Sequence, residues 1–374
     1  MKTKFPIAAC IAAAAIVMPA GPAMAGSDDE DPKPRTLAEG LVGPLSLAVT
    51  YDESVLVTQN FASLLSRVND GGSTTTLHQG EEGWDVAGVE TRHGTRYFVE
   101  SVGAGGGDPA ALKGYLKSLD PEGDVDTLAD LASYERDENP DGDQHYGFGP
   151  GVSDACLAEW PAFPPARYQG TLDSHPYGVA IRGDTAYIAD AGANAILEVD
   201  LDSGDVSTLA VLPPRPAVIP AGTKIPVDME GTTVDVPACV VGHEYAFEPV
   251  PTDLEFGPDG RLYVTSLPGG PEDPSLGARG AIFRVNPSTG STKVWAEDIL
   301  SPTGLAIADN GDVYVASMFG NEIIEFDAST CDRSQFLAID GPAAVEIRGS
   351  ALYATAGFSF ADPTQGRVIK AGLR

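Results

Sequence analysis

Four side chains lie far apart in this sequence, yet their types suit one site: Glu100, Asp190, Asp253 and His175. Three carboxylates with hydroxyl and amide oxygens around them match the oxygen shell of a hard cation such as Ca2+. A histidine beside them supplies a general base or a further ligand, and is the candidate catalytic residue. Gln59, Tyr177, Thr252 and Thr303 are the polar side chains expected to bind a ligand next to them, and Arg279 is placed to clamp an anionic group. Each has a plainer reading. Asp190 opens the turn ADAGAN, where aspartate caps backbone groups, and His175 precedes Pro176 at the start of a strand. Arg279 is also suited to a surface ion pair.

What brings these residues together is a repeat. YIADAGANAILEVD (Tyr187 to Asp200) recurs in degraded form from Val55, Arg96, Leu262, Val313 and Leu352. Each copy holds two alternating strands around a small or acidic turn. Each is preceded by a Gly/Pro-led strand: GPLSLAV, WDVAGVE, HPYGVAI, VPTDLEF, SPTGLAI and GPAAVEI. Turns such as GPDG are hairpin signals, and helical periodicity is weak throughout. The chain therefore reads as all-β, a six-bladed β-propeller at roughly 40–45 residues per blade plus insertions. The last repeat lacks a strand and the first is preceded by a surplus one, RTLAEGL (Arg35 to Leu41). The expectation is that the N-terminal strand closes the ring by joining the C-terminal blade.

Aligned on the second strands, the residues three places after the Tyr/Leu column are Gln59, Glu100, Asp190, Ser266, Ser317 and Ala356. They fall where each second strand reaches the top face. Thr252, Asp253, Thr303 and Tyr177 fall at the top of the central channel, with His175 just above. Two segments break the period, 133–173 and 213–249, and both join this face. Each carries one cysteine, so a Cys156–Cys239 disulfide is expected to tie them into a lid. The count leaves Cys331 as a single thiol. Trp84, Tyr146, Trp160 and Phe163 give the face aromatic surface, and His145 and His243 sit in the insertions.

Other signals bound the function. Lys2 and Lys4 precede an apolar run, Ile7 to Val17, and Ala-Met-Ala closes at Ala25, which predicts a signal peptide over 1–25 and an exported protein. A polar, acidic tether over 26–35 is expected to be disordered, and residues 36–374 form the single propeller. The formal net charge of −31, with 54 acidic and 23 basic residues, opposes nucleic-acid binding. No stretch is long enough to span a membrane, and a monomer is expected. GAGGG (Gly103 to Gly107) lacks the Lys-Ser/Thr of a phosphate loop. GxSxG is absent, which removes the serine-hydrolase reading.

DSHPYGVAI, YIADAGANAILEVD and EPVPTDLEFGPDGRLYVTSLPGGPEDPSLGARGAIFRV resemble the ScyD/ScyE family of exported propellers with NHL-like repeats. The resemblance covers nearly all of the chain after the signal and is strongest from Ser174 to Val285. It implies a six-bladed propeller and export, without a defined reaction. Propellers of the gluconolactonase and paraoxonase type hold calcium at the channel mouth, a likeness of fold only. Two functions follow as expectations. The first is a secreted propeller that binds a small ligand, glycan or protein partner at its top face. The second is a Ca2+-assisted hydrolase or lyase, lactonase- or esterase-like, at the channel mouth.

Overall fold

The computed structural model describes residues 33–161, 164–226, 232–271 and 274–373. The segment expected to be a signal peptide, most of the expected tether and Phe163 lie outside the described residues. Five four-stranded antiparallel sheets follow in chain order, with inner strands Leu47–Val49, Asp85–Arg92, Pro176–Arg182, Pro251–Phe256 and Pro302–Ile307. The sixth blade is Val345–Arg348, Ala351–Ala356 and Gly366–Gly372, completed by Arg35–Leu41. That strand pairs antiparallel with Gly366–Gly372, Arg35 facing Lys370 and Leu41 facing Gly366. The expected closure is therefore present.

Inner strands pack side by side in blade order, and the sixth packs against the first. Period-two alternation turns one set of residues to each neighbouring blade. The result is one apolar cluster on each of the six seams. The approach at the channel is close enough to select the residue type. A Cβ added to Gly88 would meet the Tyr177 carbonyl oxygen at 2.7 Å, and one on Gly304 would meet that of Ala343 at 2.7 Å. At the same register blades 1 and 4 carry Ser46 and Asp253. Their oxygens reach across the seam instead, Ser46 Oγ accepting from Val89 N (3.2 Å) and Asp253 Oδ2 from Leu305 N (2.8 Å).

The two interruptions of the repeat fold against each other. His145–Phe148 and Arg167–Gln169 come from the first, Arg215–Val218 and Glu244–Phe247 from the second, and together they make one sheet. Phe148, Trp160, Val240, Tyr245 and Phe247 form its core. Cys156 and Cys239 are disulfide-bonded beside it, with Cα atoms 6.0 Å apart. No described cysteine is a free thiol, so Cys331 is not the leftover thiol that the count predicts. A disulfide suits an oxidising, extracytoplasmic compartment. It spans 83 residues, for which chain-entropy estimates give about 4.5 kcal/mol. The double variant C156S/C239S is expected to lower Tm by about 5 °C, measured by scanning calorimetry. Its Trp160 emission should shift red before the main transition as this sheet loosens.

Candidate functional site

The column of second-strand ends, expected on the rim, is buried. Most of its members stitch each blade to the segment that leads into it. Gln59 Oε1 accepts from Val42 N (2.9 Å), and its amide donates to Ser66 Oγ (3.1 Å). Ser317 Oγ donates to Leu300 O (2.6 Å), and Ser266 Oγ to Pro249 O. Asp190 has no solvent exposure. Its Oδ1 accepts from the amides of His175 (2.7 Å), Gly192 and Ala193 (both 3.1 Å), and its Oδ2 from Ser174 Oγ (2.7 Å). This is the turn-capping role. Burial still raises its carboxyl above the usual range, those hydrogen bonds opposing. Glu100 departs from the pattern and turns outward to Lys117 and His78. Burial works against its charge, but these two partners outweigh it and hold the carboxyl below its ordinary value.

The cation site expected of Glu100, Asp190 and Asp253 is therefore corrected. Each carboxylate has its own set of donors, and Asp253 spends both oxygens on the amides of Leu254 (2.9 Å) and Leu305 (2.8 Å). Among the described residues no group of three or more His, Cys, Asp or Glu is arranged to hold a metal ion. Arg279 is not a free clamp either. Its guanidinium donates to the carbonyls of Gly269 and Pro271 and lies over the Phe247 ring, 4.5 Å from the centroid. Tyr146, Trp160 and Trp84 pack rather than project: Tyr146 donates to Asp141 (2.9 Å), Trp160 stacks on Tyr245, and Trp84 stacks on Tyr115.

Tyr177, Thr252 and Thr303 do border the channel. All three occupy bulges of the inner strands, at the register shifts after Pro176, Pro251 and Pro302. An unpaired residue at a bulge has its side chain re-aimed. The threonine hydroxyls are used between blades, Thr252 on Pro302 O (3.3 Å) and Thr303 on Ala343 O (2.8 Å). Two places after Ser46, Gly88, Gly178, Asp253, Gly304 and Ala344 the six residues are Ala48, Glu90, Ala180, Glu255, Ala306 and Glu346. Alanine and glutamate thus alternate round the ring. The glutamates of blades 2, 4 and 6 share the channel with Asp253. Burial, then repulsion from Asp253, raises Glu90 to about 7. The same causes, with repulsion among the glutamates, put Glu255 and Glu346 well above the carboxylate range. Burial raises Asp253 to about 6.

The top face divides into two halves. Between blades 2 and 3 lies a cleft of about 460 Å3 bordered by Asp85, Ser101, Gly103, Asp173, His175 and Glu248. His175 Nε2 lies 3.2 Å from Asp85 Oδ2. Burial disfavours the imidazolium, but Asp85, Asp190 and Asp173 outweigh it and raise the His175 pKa. Asp173 and Glu248 are both raised, burial first. On the opposite side, over blades 5, 6 and 1, stands an aromatic wall. Phe61 packs on Phe358 (6.0 Å), Phe358 on Phe360 (4.9 Å), and Phe360 on Phe319 (6.3 Å). Phe360 is 70% exposed and Phe61 48%. Tyr177 joins the halves, edge-on to His175 at 5.6 Å and packed against the Leu45–Met318–Ala343 cluster that carries Phe319 and Phe358. His145 is exposed and His243 half-buried; neither borders this cleft.

Sequence reasoning missed Asp85, Asp173, Glu248, the aromatic wall and the three glutamates. The glutamates were detectable, since the six inner strands align without gaps and show the Ala/Glu alternation. The phenylalanines sit in connections of unequal length, where no alignment column exists. A larger open groove of about 1170 Å3 lies on the outer side of the seam between blades 6 and 1, crossed by the Lys370–Glu53 pair (2.8 Å). It is remote from the inner strands that carry the grouped acids.

No family model and no curated protein sequence matches the chain. Solved structures do. A PQQ-bound aldose sugar dehydrogenase from Streptomyces coelicolor aligns at 14% identity and TM-score 0.55, over 92% of this chain and 99% of that one. A gluconolactonase from Xanthomonas campestris aligns at 11% identity and TM-score 0.55, over 92% and 90%. A virginiamycin B lyase from Staphylococcus aureus aligns at 15% identity and TM-score 0.50, over 92% and 99%. At such identities the likeness is one of fold, and with the six closed sheets it identifies this chain as a β-propeller.

Proposed function

We propose that this chain is an exported propeller of the ScyD/ScyE type that binds a small amphipathic ligand across its channel mouth. The ligand is planar and apolar at one end and carries hydroxyl or amine groups at the other. The reading rests on Tyr177, which bridges an exposed aromatic wall and an acidic cleft. Exposed aromatics in one patch mark contact surfaces more often than chance exposure. Carboxylates bordering the cleft favour donors and cations and repel anions. The 25-residue leader, the disulfide and the acidic surface agree with an extracytoplasmic setting.

Titration by intrinsic fluorescence, with Trp84 beside the cleft as reporter, tests this. Tyramine and an aryl glucoside are expected to bind, and the anionic isostere 4-hydroxybenzoate is not. F360A and D85N should each weaken binding about tenfold, the scale of one lost aromatic contact or hydrogen bond. Equal response to all three probes, or none, would count against the proposal. The His175–Asp85 pair favours a second reading, acid–base hydrolysis or elimination on a bound ligand without a metal. Turnover of an aryl ester that vanishes in H175A while binding persists would select it.

A further inference from the structure

The buried ground behind the cleft contains more carboxyl and amide oxygens than its protein partners satisfy. Helix Leu131–Glu138 is capped by the Asp130 side chain on Ser133 N (2.8 Å) and ends at Asn139 in the left-handed region, φ 41°. Glu135, on this helix, and Asp141, just beyond it, are each 1% exposed. In both, one oxygen is held and the other is not. Glu135 Oε1 accepts from Asp173 N (3.3 Å), while Asp141 Oδ2 accepts from Tyr146 Oη (2.9 Å) and Asn194 Nδ2 (2.8 Å). Glu135 Oε2 and Asp141 Oδ1 are buried with no hydrogen-bond partner, and so is Asn139 Oδ1. Leaving buried charged oxygens unpaired is costly.

Asn139 and Asp141 lie in a compact turn that follows directly on the helix of Glu135. Asn139 N donates to Glu135 O (2.8 Å), Gly142 N to Asn139 O (2.9 Å), and Gln144 N to Asp141 O (2.7 Å). Gly170 closes the turn from the other strand: its carbonyl meets Asn139 Nδ2 at 3.5 Å, and any Cβ on it would collide with Asp141. No ion pair among the described residues neutralises Glu135 or Asp141. The guanidinium next to Glu135 in sequence, Arg136, donates instead to Leu112 O (2.9 Å). Asn139, Asp141 and Gly142 share the end of the spacing D-x-N-x-D-G found in calcium loops, but Asp137 at its first place is exposed and Phe148 stands where such a loop has its glutamate, so Glu135 takes the part of the second acid.

We infer that Glu135 Oε2, Asn139 Oδ1 and Asp141 Oδ1 hold a Ca2+ ion that fastens helix Leu131–Glu138 to the turn that follows it. Two acids and one amide oxygen make up the set, with water completing the shell. Asp190, whose oxygens are all engaged, neighbours the ion without binding it. This site is separate from the proposed ligand site and stands or falls without it.

The test uses the full chain after the leader, dialysed against EDTA and then against metal-free buffer. Bound metal is measured by plasma mass spectrometry, and Tm with and without 1 mM CaCl2 or MgCl2. One calcium per chain is expected, with a Ca2+-induced Tm rise of at least about 3 °C and a smaller response to Mg2+. D141N and E135Q should each lower calcium affinity at least about tenfold, while the exposed control D126N keeps it. A calcium response that survives both substitutions would assign it to diffuse binding on the acidic surface and overturn the inference. So would a wild-type chain that neither retains calcium nor changes Tm, leaving protons to neutralise the pair. Because the wild-type readings suffice for the second outcome, a variant that fails to fold does not rescue the idea.

Discussion

A chain that begins after Leu41 is expected to lose its cooperative unfolding transition or to aggregate. Strand Arg35–Leu41 supplies the outer edge of blade 6 and buries Ala38 and Leu41 in the cluster that joins blade 6 to blade 1, with Leu47, Val57, Tyr353 and Val368. Losing a buried leucine alone costs about 2–5 kcal/mol. The truncation removes Ala38 and the ladder hydrogen bonds as well, and exposes the edge of Gly366–Gly372 to pairing between molecules. Against a total stability of about 5–15 kcal/mol, such a loss is decisive. Calorimetry and light scattering read it directly. L41D, which keeps the backbone strand, should lower Tm by about 5 °C or more. A truncated chain that melts sharply and stays monomeric would show that the ring does not depend on its closing strand.

The second large effect concerns the channel glutamates. Glu90 has an ordinary value of 4.5 and stands near 7 in the folded ring, chiefly through burial. Between these values the folded state holds a proton that the unfolded chain has released. The stability from this group is therefore fully present below about pH 4.5 and is lost as pH rises through about 7. The difference corresponds to about 3 kcal/mol. E90Q, which cannot ionise, should raise Tm at pH 8 by about 4 °C relative to the wild type and by only about 1 °C at pH 5. Glu255 and Glu346 are raised by the same neighbours, so relieving one charge also eases the other two. Comparing both proteins at both pH values cancels every group the substitution does not touch. Equal Tm differences at pH 5 and pH 8 would mean that the glutamates do not share the channel as charged groups.

The architecture was legible in the sequence because blade periodicity is written in strand alternation, which a packed ring cannot relax. The surplus strand Arg35–Leu41 and the isolated pair Cys156 and Cys239 were legible for a similar reason, since each had a single geometrically sensible partner. The site was harder. Asp190 and Gln59 were placed correctly along their strands, but sequence says nothing about which hydrogen-bond donors arrive from elsewhere. The amides of Gly192 and Ala193 belong to the ADAGAN turn whose capping the sequence does suggest, but the His175 amide and the Ser174 hydroxyl reach Asp190 from the segment ahead of the inner strand. Asp253 stood out against glycine and alanine at its register because it reaches a neighbouring strand, a structural reason that mimics a functional one. Phe61, Phe319, Phe358 and Phe360 come together only once three blades are arranged in space.

The Cys156–Cys239 bond has a topological consequence. Every strand of blade 3, from Pro176 to Val211, lies between the two cysteines, so this blade sits inside a covalently closed loop. A protease cut anywhere within that loop opens the circle without releasing either fragment. The bond also keeps the two insertions joined to each other while blade 3 lies in the loop between them. Blade 3, which carries Asp190, His175 and Tyr177, is the blade enclosed by the Cys156–Cys239 bond.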